Sequence, residues 1–360
     1  MKKLGLLLLI ITFPAFLMAG GSKASPSVTS TQPASGVVQG TGVKLTVYSN
    51  SVSDGRGDWL VDRAAKDGFK IQYLSAGAAD AQNRLIAEKN APVADVVFGL
   101  NAIIWETLIA QGVLTPYVPV WANEISPGLN DPKGYYHAIV KQAILLVYDK
   151  KQMQPGDAPK DWPDLWQNQN YWGKYESTNN LGSGTPRVVL TGILTRYADP
   201  SGNLGISDAG WKEIDNYYQR GKLGQVGVDL YVNIADPASS VVMGQMWSSG
   251  VEDRDKQYGT DTGYVVPAIG VPFVVEGVAI VNGTKNMDEA KRFVDWFGSA
   301  QVQGDWAEKW STLPANTKAV DKANAFNKII ANLPAQNIDW ALVAKNIDAW
   351  CEKIMLTYMR

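Results

Sequence analysis

The clearest chemical signal in this chain of 360 residues is the segment Asn179-Asn180-Leu181-Gly182-Ser183-Gly184-Thr185-Pro186-Arg187. Gly182 and Gly184 allow close backbone approach, and the hydroxyls of Ser183 and Thr185 converge with several backbone N–H groups where a helix is predicted to begin. Thr185 offers a capping hydroxyl, and Pro186 suits a first helical position because its missing N–H leaves no intrahelical bond unmade. Such a segment can grip an oxyanion, although a plain capped loop uses the same residues. No Gly-Lys-Ser/Thr ending follows, so nucleotide hydrolysis is not indicated.

Further candidates have the same character. Ser49-Asn50-Ser51 follows a predicted strand, and Ser75-Ala76-Gly77-Ala78 lies between a strand and a helix. Short polar side chains with a glycine at helix entrances present N–H and O–H donors. Asn101 is placed to cap a helix. Trp247-Ser248-Ser249-Gly250 precedes a charged helix that Ser249 can cap. Glu276 is the sole charge in the apolar run 271–281, and a carboxylate there is costly unless it is paired or faces a cleft. Arg56 and Arg187 are candidate charge partners, with solvated surface as the commoner fate. The pairs Tyr135-Tyr136 and Tyr217-Tyr218 could serve a ferric ion, but the second sits in a helical pattern that suits core packing.

Composition narrows the chemistry. One His and one Cys exclude an internal disulfide and a His/Cys zinc site. Lys and Arg total 33 against 35 Asp and Glu, so no basic excess points to nucleic acid. Met1-Lys2-Lys3, an apolar run over 4–18 and the small residues Ala19-Gly20-Gly21 predict an export signal over 1–21, followed by a flexible Ser/Thr/Pro/Gly-rich leader over 22–42. Cleavage after Gly21 leaves 31 basic and 35 acidic residues, a net charge of −4. Leu17-Met18-Ala19-Gly20 resembles the approach to a lipoprotein cleavage site, but Gly21 stands where the acylated cysteine belongs. The expected location is periplasmic, with a membrane tether only if Gly21 replaces that cysteine.

The elements that must position these residues alternate. Strands are predicted over 43–48, 69–73 and 94–98, with helices over 57–67, 79–89 and 102–111, a pattern that implies a parallel sheet covered on both faces. Its ligand side lies beyond the carboxyl ends of the strands. A second α/β unit is predicted with strands over 137–140, 143–148, 228–234 and 262–266 and helices over 186–197, 208–220, 238–246 and 251–258. A strand over 273–281 returns to the first unit, and helices over 287–298, 302–309 and 339–358 close the chain. In the last of these Trp340, Val343, Ile347, Trp350 and Ile354 form a packing stripe that places Cys351 as a structural thiol. The expected architecture is two α/β lobes, 43–138 with 273–360 and 139–272. Each lobe holds a central, mostly parallel sheet, and two crossings form a hinge.

The segments LTVYSNS, ADVVFGLN, LLVYDK, NLGSGTPRVVLTGIL, GQMWSSG, VPFVVEGVAIVNGTKN, AKRFVDWFGSAQVQ and DWALVAKNIDAW together resemble the bacterial extracellular solute-binding proteins that serve ABC importers. The likeness is to the ferric-ion, thiamine, phosphonate and hexose-phosphate-binding branch of the class II periplasmic-binding-protein fold. It implies capture of a small solute in an interlobe cleft, delivery to membrane permease and ATPase subunits, no catalytic residue, no cofactor and a monomer. Ferric-ion binders of this branch use an adjacent tyrosine pair where this chain has Gly244-Gln245-Met246-Trp247-Ser248-Ser249. The loop Gly182-Ser183-Gly184-Thr185 is more similar to the phosphate-gripping loop of the phosphonate and hexose-phosphate binders. The resemblance thus implies a phosphorylated or otherwise anionic organic solute, with Trp247 and Glu276 meeting its organic part. The alternatives are a ferric-ion or thiamine binder of the same fold, a sensory binding module, and a secreted hydrolase, for which neither a G-x-S-x-G motif nor a convincing acid pair is evident.

Overall fold

The first apolar run forms strand β1 (Lys44–Ser49), and strict alternation follows: α1 (Arg56–Lys66), β2 (Lys70–Ser75), α2 (Ala78–Ala87), β3 (Val96–Phe98) and α3 (Ala102–Ala110). A computed structural model describes residues 37–359, so the predicted signal and most of the predicted leader lie outside the described residues. β1 pairs in parallel with both β2 and β3, the arrangement that helical crossovers between strands allow. Asn101 caps α3 by accepting from the Ile104 N–H at 3.4 Å, and Gly112 at φ +68° turns the chain out of the helix.

After β4 (Leu114–Thr115) comes β5 (His137–Asp149), in which two predicted strands are one ribbon of 13 residues. Next are α4 (Asp164–Gln167), β6 (Glu176–Ser177), α5 (Gly184–Leu194), β7 (Ala198–Asn203), α6 (Asp208–Arg220), β8 (Lys222–Leu223), α7 (Leu230–Ala235), β9 (Met243–Trp247), α8 (Ser248–Tyr258) and β10 (Thr262–Tyr264). The chain ends with β11 (Phe273–Val281), α9 (Met287–Phe297), α10 (Ala300–Trp310), β12 (Leu313–Pro314), α11 (Ala325–Ala331) and α12 (Trp340–Thr357). The main sheet runs β10-β5-β11-β3-β1-β2, with β9 and β12 also on β5 and β4 also on β11. The start of β5 pairs with β11 and its end with β9 and β10, so this one ribbon carries the sheet from one half of the molecule into the other. Among the described residues no helix is long and apolar enough to cross a membrane.

Three expectations are corrected. Residues 228–234, read as a strand, form the helix α7, because Asp229 caps it by accepting from the Tyr231 N–H at 3.0 Å and Leu230, Tyr231 and Ile234 bury one face. Residues 238–246, read as a helix, yield β9, whose pairing with β5 from Met243↔Tyr148 to Trp247↔Ile144 outweighs local propensity. The mostly parallel sheet holds for β1, β2 and β3, and for the small pair β6 and β8, whereas every strand on β5 is antiparallel to it.

The cores divide differently from the expected lobe boundary at 273–360. Val343, Ile347, Trp350, Cys351 and Ile354 of α12 pack with Leu165, Val188, Ile193 and Tyr217, within the half predicted as 139–272. The predicted stripe is therefore a packing face, and Cys351 is buried beside it as a free thiol. α9 and α10 stay with the first half, where Phe293, Trp296, Phe297 and Trp306 cover β1 and β3 through Val47, Val96 and Phe98.

Candidate functional site

A cavity of about 270 Å³ opens where the two halves meet on β5 and β11. The first half supplies Asn50 and Ser51 from the end of β1, Arg56 at the start of α1, Gly99 after β3, and Asn101. The second half supplies Ser183, Gly184 and Thr185 at the start of α5 and Trp247 and Ser249 at the start of α8. Glu276 and Gln142 face it from the strands shared by both halves. The carboxyl-end loops of a parallel sheet and the entrances of several helices thus converge on one volume.

A hydrogen-bonded chain forms its floor. Ser51 Oγ donates to Glu276 Oε2 at 2.8 Å, Gln142 Nε2 donates to the other carboxylate oxygen, and Ser249 Oγ donates to Gln142 Oε1 at 3.0 Å. The register of β11 on β5 shifts between Glu276 and Gly277, and this bulge re-aims the glutamate. Burial pushes the Glu276 carboxyl above its ordinary range, while the bonds from Ser51 and Gln142 and the charge of Arg56 pull the other way.

The rim is electropositive in its backbone. α1, α5 and α8 are each 11 residues long, and their N-cap residues Gly55, Ser183 and Trp247 make no side-chain capping bond. At α1 the first two N–H groups, of Arg56 and Gly57, are taken by Ser53 O and Val52 O at 3.0 Å each, so the donors that face the cavity come from the first turns of α5 and α8, each with roughly half a positive charge. Arg56 adds a full charge, held inward with its guanidinium 5.5 Å from the Trp310 ring centroid and 3.7 Å from Asp54. Asn50 Oδ1 and Thr312 Oγ1 line the same space, and both are buried without a hydrogen-bond partner among the described residues. Trp247 forms a wall beneath the guanidinium of Arg254, 5.6 Å away, and Gly250 makes room for it, since a Cβ there would lie 2.7 Å from the indole Nε1.

Of the residues read from the sequence, Asn50, Ser51, Asn101, Ser183, Gly184, Thr185, Trp247 and Glu276 come together at this cavity. The others do not line it. Ser49 is fully buried and its Oγ accepts from the Ser51 N–H at 2.9 Å, which shapes the loop instead. Ser248 is buried, with Oγ accepting from the Ala143 N–H at 3.2 Å, so it ties α8 to β5. Ser75 pairs with Ser49 at the end of β2, and Gly77 is the N-cap of α2. Ala78 and Gly182 line a small neighbouring cleft together with Arg187, which is engaged by Asp348 at 2.8 Å. The helix carrying Thr185 begins two residues earlier than a Thr185 cap requires, which makes Ser183 the N-cap, and neither hydroxyl makes a capping bond.

Sequence reasoning missed Gln142, Thr312 and Trp306, and it weighed Arg56 as surface. Gln142 had a legible signal: with Lys141 it interrupts an apolar strand, as Glu276 does in its own. Ser249 was read only as a cap, and it reaches Gln142 instead. The tyrosine pairs lie elsewhere. Tyr217 and Tyr218 are buried in the core of the second half, while Tyr135 and Tyr136 pack beside α3.

Comparison with known proteins accords with this geometry. Residues 62–350 match the family described as bacterial extracellular solute-binding protein. The chain is 35% identical over 313 residues to the provisionally named ABC transporter periplasmic-binding protein y4fP of Sinorhizobium fredii, covering 87% of this chain and 86% of that one. It is 22% identical to a protein of Salmonella typhimurium provisionally named as a 2-aminoethylphosphonate-binding periplasmic protein, over 85% of this chain and 89% of that one. Iron-bound HitA from Pseudomonas aeruginosa superposes with a TM-score of 0.73 at 17% identity, over 88% of this chain and 99% of that one. AfuA from Actinobacillus pleuropneumoniae, with fructose-6-phosphate bound, superposes at 0.67 and 20% identity, over 87% and 99%. With a cleft assembled from both halves of a type II periplasmic-binding-protein fold, this chain belongs to the bacterial extracellular solute-binding proteins, the solute-capturing components of ABC importers.

Proposed function

We propose that the chain captures a small phosphorylated or phosphonate solute in the cavity between its halves and carries it to a membrane permease and its ATPase. The single observation that carries this reading is the meeting of the N-termini of α5 and α8, neither with a side-chain cap, and the Arg56 guanidinium on one space of about 270 Å³. Ser183 and Thr185 add hydroxyl donors for the anion. Trp247 and Glu276 meet the organic part, the first by apolar contact and the second by accepting from a hydroxyl. Closure of the two halves about β5 and β11, with α12 moving as part of the second, supplies the shape that a permease reads. Binding alone accounts for these residues, and no step of chemistry is assigned to them. The names of the Salmonella relative and of the AfuA complex accord with a phosphonate or phosphate ester.

A ferric-ion reading has the HitA likeness in its favour. Against it, among the described residues no tyrosine or histidine lines the cavity, and the carboxylate of Glu276 already accepts two hydrogen bonds.

The two readings separate in a thermal-shift panel of sugar phosphates, aminoalkylphosphonates, thiamine phosphate, polyamines and ferric salts, because a native-state ligand raises the melting temperature by mass action. At least one phosphate ester or phosphonate is expected to stabilise the protein, and Thr185→Ala to weaken that ligand by about tenfold. Stabilisation by ferric ion with a tyrosinate colour, and by no phosphorus compound, contradicts the proposal.

A further inference from the structure

Beside the first cavity lies a second of about 330 Å³ that shares Ser183, Thr185 and Trp247 with it. It differs in charge: where Arg56 lines the first, two carboxylates, Glu176 and Asp229, line this one, with Thr178 and Gln245 beside them. Asp229 is matched by Arg254, whose Nε donates to it at 2.7 Å. Among the described residues Glu176 has no such cation; it accepts from Asn233 Nδ2 at 3.0 Å. Thr178 is 3% exposed, and its hydroxyl has no hydrogen-bond partner among the described residues, nor has Gln245 Oε1. Burial, opposed by the Asn233 bond and aided by the Asp229 charge, pushes the Glu176 carboxyl up to about 7. A half-dry carboxylate with two further unpaired oxygens nearby is costly as it stands, and a bound cation with several N–H donors removes that cost.

We propose that the second cavity is an amino subsite: it seats the ammonium end of the same solute on Glu176, with Thr178 and Gln245 accepting its remaining N–H bonds. The proposal rests on the first cavity holding the anionic end, and it narrows the solute to an amino-bearing phosphonate or phosphate ester whose chain runs past Trp247. Glu276 lies in the other cavity and is not its partner.

Calorimetric titration of the whole protein with matched pairs tests it: alkylphosphonates of two to five carbons, each against its ω-amino counterpart. From one chain length upward the amine is expected to tighten binding by about tenfold, a gain that Glu176→Gln removes and Thr178→Val reduces, with neither variant lowering the unliganded melting temperature. The subsite is overturned if no length shows the gain, if the gain survives Glu176→Gln, or if Glu276→Gln removes it instead. Amines that bind through Glu176 while plain alkylphosphonates bind nowhere overturn the anion reading and leave the subsite standing. Binding of neither series overturns both.

Discussion

Gly99→Ala is expected to lower solute affinity by a hundredfold or more and to destabilise the protein by about 1–3 kcal/mol. Gly99 sits at φ +90°, a conformation L side chains rarely adopt. A Cβ at this position would lie 2.6 Å from Asn50 Oδ1, 2.6 Å from Ser51 Oγ and 2.9 Å from Ser51 Cβ. The backbone cannot yield easily, because the Gly99 N–H donates to Gly277 O at 2.8 Å and the Gly277 N–H donates to Leu100 O at 3.0 Å. Asn50 and Ser51 must therefore leave the cavity wall, and Ser51 takes its bond to Glu276 with it. Gly112→Ala is the control. Gly112 also has a positive φ, +68°, but nothing lies within 4 Å of the added carbon, so stability should fall by about 1 kcal/mol with affinity unchanged. Equal affinity losses in the two variants, measured by titration after matching the folded fraction, would show that Gly99 serves only the turn.

Glu276→Ala should cost both binding and stability, and Glu276→Gln should separate the two. Alanine leaves the Ser51 hydroxyl and the Gln142 amide without their acceptor, at about 1–3 kcal/mol for each buried group left unpaired. Gln142 then loses its hold on Ser249, which loosens the start of α8. Glutamine keeps the shape and one acceptor. Because burial raises the Glu276 carboxyl in the native state, that state retains a proton that the unfolded chain has already released. Wild-type stability should therefore decline as pH rises above the ordinary carboxylate range. Urea unfolding at pH 5 and pH 8 should show this decline in wild type and a smaller one in Glu276→Gln. A steeper decline in the glutamine variant would mean that Arg56 and the two hydrogen bonds outweigh burial.

These two sites illustrate what could be read from residues alone. Glu276 was legible because a lone charge in an apolar strand needs a reason, and the same rule applied to β5 picks out Gln142. The helix entrances were legible too, since Ser183-Gly184-Thr185 and Trp247-Ser248-Ser249 combine small, hydroxyl and glycine residues before helical runs. The division of labour within each loop was not. Ser49 and Ser51 are chemically alike, yet one is fully buried beneath the loop and the other faces the cavity, a difference set by strand register. The errors at 228–246 have a related cause: those short apolar segments suit a helix or a strand equally, and the Asp229 cap decides the first while pairing with β5 decides the second. Thr312 had no local signal, because it enters the cavity only through the packing of α10 and β12 against β5. The path of α12 into the second half's core was hidden likewise, since an apolar stripe states that a face is buried and not against what.

The most direct test of the central claim is a titration of the 15N-labelled protein with a phosphonate or phosphate ester, following the backbone amides. If the anion sits on the uncapped helix entrances, the largest shift changes should fall on Gly184, Thr185 and Ser249, with the Arg56 side chain responding in parallel. Saturable binding that leaves these amides unmoved and shifts residues outside the cavity would contradict the account.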